Sequence, residues 1–179
     1  GLCTSVKHSC RFASFILMSK ADYPSELDIP LPFSLINNNV ANDRLEIMPA
    51  FWWLFNMYAL ARNSWKFQSR DKRKNKVQKI EFDPYAPDTV EEIMNARRLL
   101  EIWTAKAHLK HTNANTSSVS DDKLADMGRK LLSGNESAIN KLEVLAEGVE
   151  NSKRKVLILK PHKAYHAYHD MLYYYAMKN

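Results

Sequence analysis

Glycine is scarce in this sequence: only Gly1, Gly128, Gly134 and Gly148 occur among 179 residues, against about a dozen at average usage. Their spacing admits neither a G-x-G-x-x-G nor a G-x-x-x-x-G-K-[ST] loop, and no serine stands in a G-x-S-x-G setting. Dinucleotide-binding, P-loop and α/β-hydrolase chemistries are thereby set aside. Cysteine is scarcer still. Cys3 and Cys10 cannot build a disulfide framework or a four-cysteine zinc site, and free thiols favour a reducing compartment. No basic stretch followed by an apolar core and a small-residue cleavage site opens the chain, so no secretory signal is read. The longest apolar run, Pro49 to Ala61, carries Asn56 and falls short of the roughly twenty residues a bilayer span needs. A cytoplasmic protein without a membrane span is the expectation.

What is present is ordinary for a globular domain: 45% hydrophobic and 26% charged residues. The formal charge of +6 is unevenly placed. Between Arg62 and Lys79 there are eight basic residues and one acid, Asp71; everything else carries 18 basic and 19 acidic residues. Glu81, Asp83, Asp88, Glu91 and Glu92 then follow with no base among them. Neutralisation between these neighbouring blocks is the plainest reading, and a basic surface for phosphate, nucleic acid or an acidic partner is the other.

Residues 1–39 do not read as helical. Phe12 to Leu17 is a short β-like run, and Pro24, Pro30 and Pro32 break any helix after it. Ile29-Pro30-Leu31-Pro32-Phe33 should be extended, because residues before proline avoid the α region. From Pro49, the block Phe51-Trp52-Trp53-Leu54-Phe55 with Met57, Tyr58 and Leu60 reads as a helix apolar on nearly every face, hence the centre of the core. If that helix continues, Arg62, Lys66, Arg70 and Arg73 share one face. Thr89-Val90-Glu91-Glu92 reads as a capping box opening a second helix, whose stripe is Val90, Ile93, Ala96, Leu100, Trp103 and Ala107. His111 to Ser120 is polar and is the best linker. Asp121 to Ser133 and Glu136 to Glu147, each stopped by glycine, read as a helical hairpin. Val156 to Leu159 is open between strand and helix. Pro161 begins a last helix with the stripe Ala164, Tyr168, Met171, Leu172 and Tyr175.

Two side-chain groups bear on chemistry. Arg62, Lys66, Arg70 and Arg73 are the candidate phosphate or anion site. His162, His166 and His169 lie on one face of the last helix, and two histidines four apart can reach one zinc ion. The glutamate of H-E-x-x-H is missing, since Lys163 follows His162, and a solvated polar face is the simpler account. Asp121-Asp122 suits the electrostatics of a helix start. Tyr173-Tyr174-Tyr175 suits packing on a partner better than stacking of bases. His8 and His108 have no recognisable partner. No cofactor is implied.

The segments Asp22-Tyr23-Pro24, Ile29-Pro30-Leu31-Pro32-Phe33, Met48-Pro49-Ala50-Phe51-Trp52-Trp53, Asn56-Met57-Tyr58-Ala59-Leu60-Ala61-Arg62-Asn63 and Ala86-Pro87-Asp88-Thr89-Val90-Glu91-Glu92 together resemble an uncharacterised bacterial family, a domain of unknown function. Glu150 to Lys155 and Ala164-Tyr165-His166-Ala167-Tyr168 fit it too. The resemblance implies a helical region that follows a left-handed parallel β-helix of hexapeptide repeats, similar to sugar-nucleotide acyltransferases. It transfers no catalytic residue.

The expected fold is therefore mainly α. Residues 1–20 would be the last coil of a truncated β-helix, 21–48 an extended proline-rich docking segment and 49–110 the helical core. After a polar loop at 111–120, residues 121–179 would hold the hairpin and the C-terminal helix. The leading functional expectation is a non-catalytic structural or interaction module, with the preceding β-helix domain as its partner and homo-oligomerisation as an option. One alternative is part of a nucleotide-sugar acyl- or nucleotidyltransferase that holds phosphate through Arg62, Lys66, Arg70 and Arg73. The third, and least favoured, is a nucleic-acid binder through residues 62–79.

Overall fold

Proline and short apolar pairs set the first third of the chain. The computed structural model describes residues 3–78, 80–114 and 119–178. Gly1 and Leu2, Lys79 and the middle of the expected linker lie outside the described residues. β1 (Ser5–Val6), β2 (Arg11–Phe12) and β3 (Leu17–Met18) are each two residues long. They pair in parallel with β4 (Asp22–Tyr23), β5 (Asp28–Ile29) and β6 (Leu35–Asn39), in the registers Ser5↔Asp22, Arg11↔Asp28 and Leu17↔Leu35. A 3-10 turn at Val40–Asn42 then reverses the chain into β7 (Arg44–Met48), antiparallel to β6. Val156 to Leu159, ambiguous by pattern, becomes β8 (Lys155–Ile158), which joins β7 in parallel. The order β3-β6-β7-β8 makes one mixed four-stranded sheet.

The mainly α fold with a β-helix end is thereby corrected. Among the described residues the molecule is 47% helix and 16% strand in small mixed sheets, with no solenoid or β-helix. The reason lies in the hairpin: a solenoid needs every strand to keep one direction, and β7 runs back along β6.

The helices are α1 (Phe51–Phe55), α2 (Met57–Arg70), α3 (Pro87–His111), α4 (Asp121–Leu132), α5 (Glu136–Ile139) and α6 (Pro161–Lys178). α3 starts earlier than the capping box suggests. Pro87 takes the first helical position and Thr89 the third. The Thr89 hydroxyl accepts from the Ala86 N–H at 3.0 Å and donates back to the Ala86 carbonyl at 2.8 Å. Glu92 is thereby released to accept the Ser14 N–H at 2.8 Å, which ties the N-terminal strands to α3. α5 stops at Ile139 instead of running to Glu147, and the chain extends to a bridge between Leu145 and Leu157 beside β8.

The core joins Ile29, Leu31, Phe33, Ile36, Leu45 and Ile47 from the strand region to Ile93, Ala96 and Leu100 of α3 and Ala164, Tyr168 and Met171 of α6. The proline-locked strip at Ile29–Phe33 is part of this core. The aromatic block is not its centre, a second correction. Of residues 51–60 only Leu60 is buried, while Phe55 is 52% and Tyr58 79% exposed. Asn56, at φ −143°, breaks the run into α1 and α2, and α2 leaves the body with most of its faces in water.

Candidate functional site

Three surfaces could carry function, and each is built from local sequence. The first is the outer edge of β1, β2 and β3. The Ser5, Arg11, Ala13, Leu17 and Ser19 N–H groups donate inward, to Ala21, Leu27, Ile29, Ser34 and Ile36 carbonyls at 2.8–3.3 Å. Backbone direction alternates along a strand, so Val6, Phe12 and Met18 present their N–H groups outward. Among the described residues no strand pairs there. The exposed apolar side chains of Val6, Phe12 and Phe15 stand beside this edge.

The second surface is α2 and the loop after it. α2 contains no acidic residue. It ends at Arg70 with Asp71 as its C-cap, so Arg73 lies beyond the helix and the four basic residues do not share a helix face. Lys66, Arg70 and Arg73 do line one open cavity of about 620 Å³ with Asn63, Phe67, Asp71 and Ile80; Arg62 is not among them. Inside it Asp71 already holds Arg73 through paired bonds of 2.8 and 2.9 Å, and that guanidinium holds the Asp71 carboxyl down at about 2. Arg62, Lys66 and Arg70 have no acid partner among the described residues. Among the acids at 81–92, Asp88 accepts the Thr89 N–H and Glu92 that of Ser14. Asp83 pairs with Lys178, and Glu81 accepts the N–H groups of Phe82 and Asp83. Among the described residues no ion pair joins the two blocks, so the expected neutralisation is not seen there.

The third surface is a cavity of about 490 Å³ between α2, the 82–85 turn and the end of α6, walled by Trp53, Leu60, Trp65, Phe82, Tyr85 and Tyr174. Tyr85 packs edge-on to Trp53 at 6.0 Å and meets Tyr174 at 5.1 Å. Desolvation, then the nearby Tyr174 and Asp83, push the Tyr85 phenol up. Among the described residues that line the cavity, the charged ones are Asp83 and Lys178, which pair with each other. Sequence pattern missed this cavity because its walls come from three separate segments.

The histidines have backbone partners. His162 Nε2 lies 3.1 Å from the Gly134 carbonyl and His166 Nε2 3.0 Å from that of Leu132. Both therefore donate to the open C-terminal end of α4, a place that favours such donors. His169 stands apart, against Tyr173. Among the described residues no three His, Cys, Asp or Glu side chains converge as a metal site. Of the remaining candidates, Asp122 pairs with Arg98 at the start of α4, and Tyr174 lines the aromatic cavity.

One polar network went unread because its acid sits within an apolar helical stretch. Glu101 of α3 is 4% exposed. It accepts from the Tyr165 hydroxyl at 2.8 Å and from Arg129 at 3.1 and 3.3 Å. Arg97 donates to the same Tyr165 oxygen at 2.9 Å and lies over its ring. Burial, then the bond to Glu101, raise the Tyr165 phenol. The network joins α3, α4 and α6, with Glu101 buried at its centre and Arg129 reaching the surface.

The chain is homologous to an uncharacterised protein of Treponema pallidum (strain Nichols), 45% identical over 178 residues. The match covers 99% of this chain and 23% of that protein. No protein-family model matches, and no solved structure matches. The chain thus corresponds to under a quarter of its curated relative. No helix among the described residues is long and apolar enough to cross a membrane.

Proposed function

We propose that this chain is a non-catalytic docking module of a longer polypeptide, and that it docks through the outer edge of β1, β2 and β3. The observation that carries the reading is the row of unpaired strand edges flanked by exposed Val6 and Phe12. Such edges template the addition of further strands, with main-chain hydrogen bonds giving affinity and flanking apolar side chains adding to it. The occupant is another segment of the same polypeptide. Its support is the relative, in which the matched region is 23% of the length. The buried acids Glu46, Glu101 and Glu150 also support a non-catalytic role, because each is spent on structural partners. Glu150, for example, is bound by Arg154 at Nε and by the Ser152 hydroxyl at 3.1 and 2.8 Å.

Self-association tests this. The 179-residue chain alone should sediment as a concentration-dependent mixture and enhance the fluorescence of a hydrophobic dye. The double change Val6→Asp and Phe12→Asp should abolish both while leaving the circular dichroism unchanged. A monomer that binds no dye, or a variant that self-associates like the parent, would remove the edge as a docking surface.

A further inference from the structure

We propose that the outward face of α2 binds single-stranded nucleic acid, stacking bases on Tyr58 and Trp65 and holding phosphates with Arg62, Lys66 and Arg70. This surface is separate from the strand edge, so the two readings stand or fall independently. At about 100° per residue, Tyr58, Arg62, Trp65 and Ser69 fall within about 60° of one another, with Lys66 about 80° and Arg70 about 120° round from Tyr58 on one flank, where both line the open cavity beside Phe67. Leu60, the buried residue of the helix, points the opposite way. Tyr58 is 79% and Trp65 66% exposed, unusual for two large aromatics that a folded body could have covered.

The electrostatics agree. α2 carries no acid, and among the described residues Arg62, Lys66 and Arg70 have no acid partner. The loop continues the same sign with Lys72 and Lys74, while Asp71 is occupied by Arg73. Alternating aromatic and cationic side chains along an exposed ridge are what a flexible phosphate chain with free bases requires. The rings take the bases and the cations track the backbone. A duplex hides its base faces and offers the two rings nothing. An acidic protein would meet the cations but has no need of the rings.

The experiment titrates the chain with a labelled oligo(dT) of about twelve nucleotides, a duplex of equal length, and polyglutamate. Oligo(dT) should bind most tightly. Tyr58→Ala with Trp65→Ala should weaken it roughly tenfold or more, since stacking is the dominant sequence-tolerant term, and leave polyglutamate binding unchanged. Replacing Arg62, Lys66 and Arg70 with Gln should flatten the slope of log affinity against log salt by about 2, as three phosphate contacts are lost. Tyr58, Arg62, Trp65 and Arg70 are exposed, Lys66 is half-buried and Trp65 also walls the aromatic cavity, so each variant is first checked for a circular dichroism spectrum equal to the parent's. No binding to oligo(dT) would overturn the proposal. So would equal or tighter binding of duplex or polyglutamate, or an affinity for oligo(dT) indifferent to Tyr58 and Trp65; the polyglutamate outcome would point to an acidic protein.

Discussion

Gly128 shows how a single residue sets the approach of two helices. A Cβ placed there would lie 1.8 Å from the Glu101 carbonyl oxygen, an impossible contact with backbone. α4 therefore lies on α3 only because position 128 has no side chain, and the same approach brings Arg129 to Glu101. Gly128→Ala should cost about 3 kcal/mol or more in urea unfolding, at the upper end of overpacking effects because backbone cannot step aside. A loss under about 1 kcal/mol would mean that the helices separate freely. Glu46 makes a pH prediction. Burial alone would raise its carboxyl, but Asn39, Arg44 and Asn37 all donate to it, at 2.8, 2.8 and 3.1 Å, and the net effect is a lowered pKa. A carboxyl lowered on folding adds stability that is complete above its unfolded value of 4.5 and lost as pH falls through the folded value. Stability should therefore fall below pH 4.5, and Glu46→Gln should flatten that limb in acid titrations followed by circular dichroism. An identical acid limb in the variant would contradict this.

At the scale of elements, α1 and α2 separate hydrophobicity from burial. Residues 49–61, across α1 and the start of α2, are the longest apolar run of the chain, and a periodicity argument places it in the core. Burial depends on what is packed opposite, and the sequence does not contain that information locally. Here the core is filled by the Ile29–Phe33 strip and by α3 and α6, which leaves α1 at the rim. Phe55→Ala should consequently cost less than about 1 kcal/mol, whereas Ile93→Ala should cost about 2–5 kcal/mol, the usual loss for an enclosed aliphatic side chain. Reversal of that order in denaturant titrations would restore the aromatic block to the core. α3 and α6 were legible because each keeps one unbroken 3.6-residue stripe, α3 behind the Thr89 capping signal, two residues late, and α6 behind Pro161. β8 was not, since a four-residue apolar run becomes a strand only through its distant partner β7. The basic excess of residues 62–79 is plain in composition, but the pairing of Arg73 with Asp71, which leaves Arg62, Lys66 and Arg70 without an acid partner among the described residues, needs the folded loop.

For the whole molecule the central claim is that the open edge of β1, β2 and β3 is closed by other parts of a longer polypeptide. The two-residue strands could not have been placed from pattern, because two residues carry no period. The exposed Val6 and Phe12 gain meaning only once their unpaired backbone is known. The most direct measurement is amide hydrogen exchange at Val6, Phe12 and Met18, whose N–H groups point outward. It compares the isolated chain with the polypeptide encoded by the complete reading frame. The account predicts rapid exchange at these three amides in the isolated chain and slowing by roughly a hundredfold or more in the longer polypeptide, as expected when exposed backbone enters a stable ladder. Arg11 and Leu17, already bonded inward, should change far less. Equal exchange of Val6, Phe12 and Met18 in both proteins, or a reading frame that ends with this chain, would contradict it.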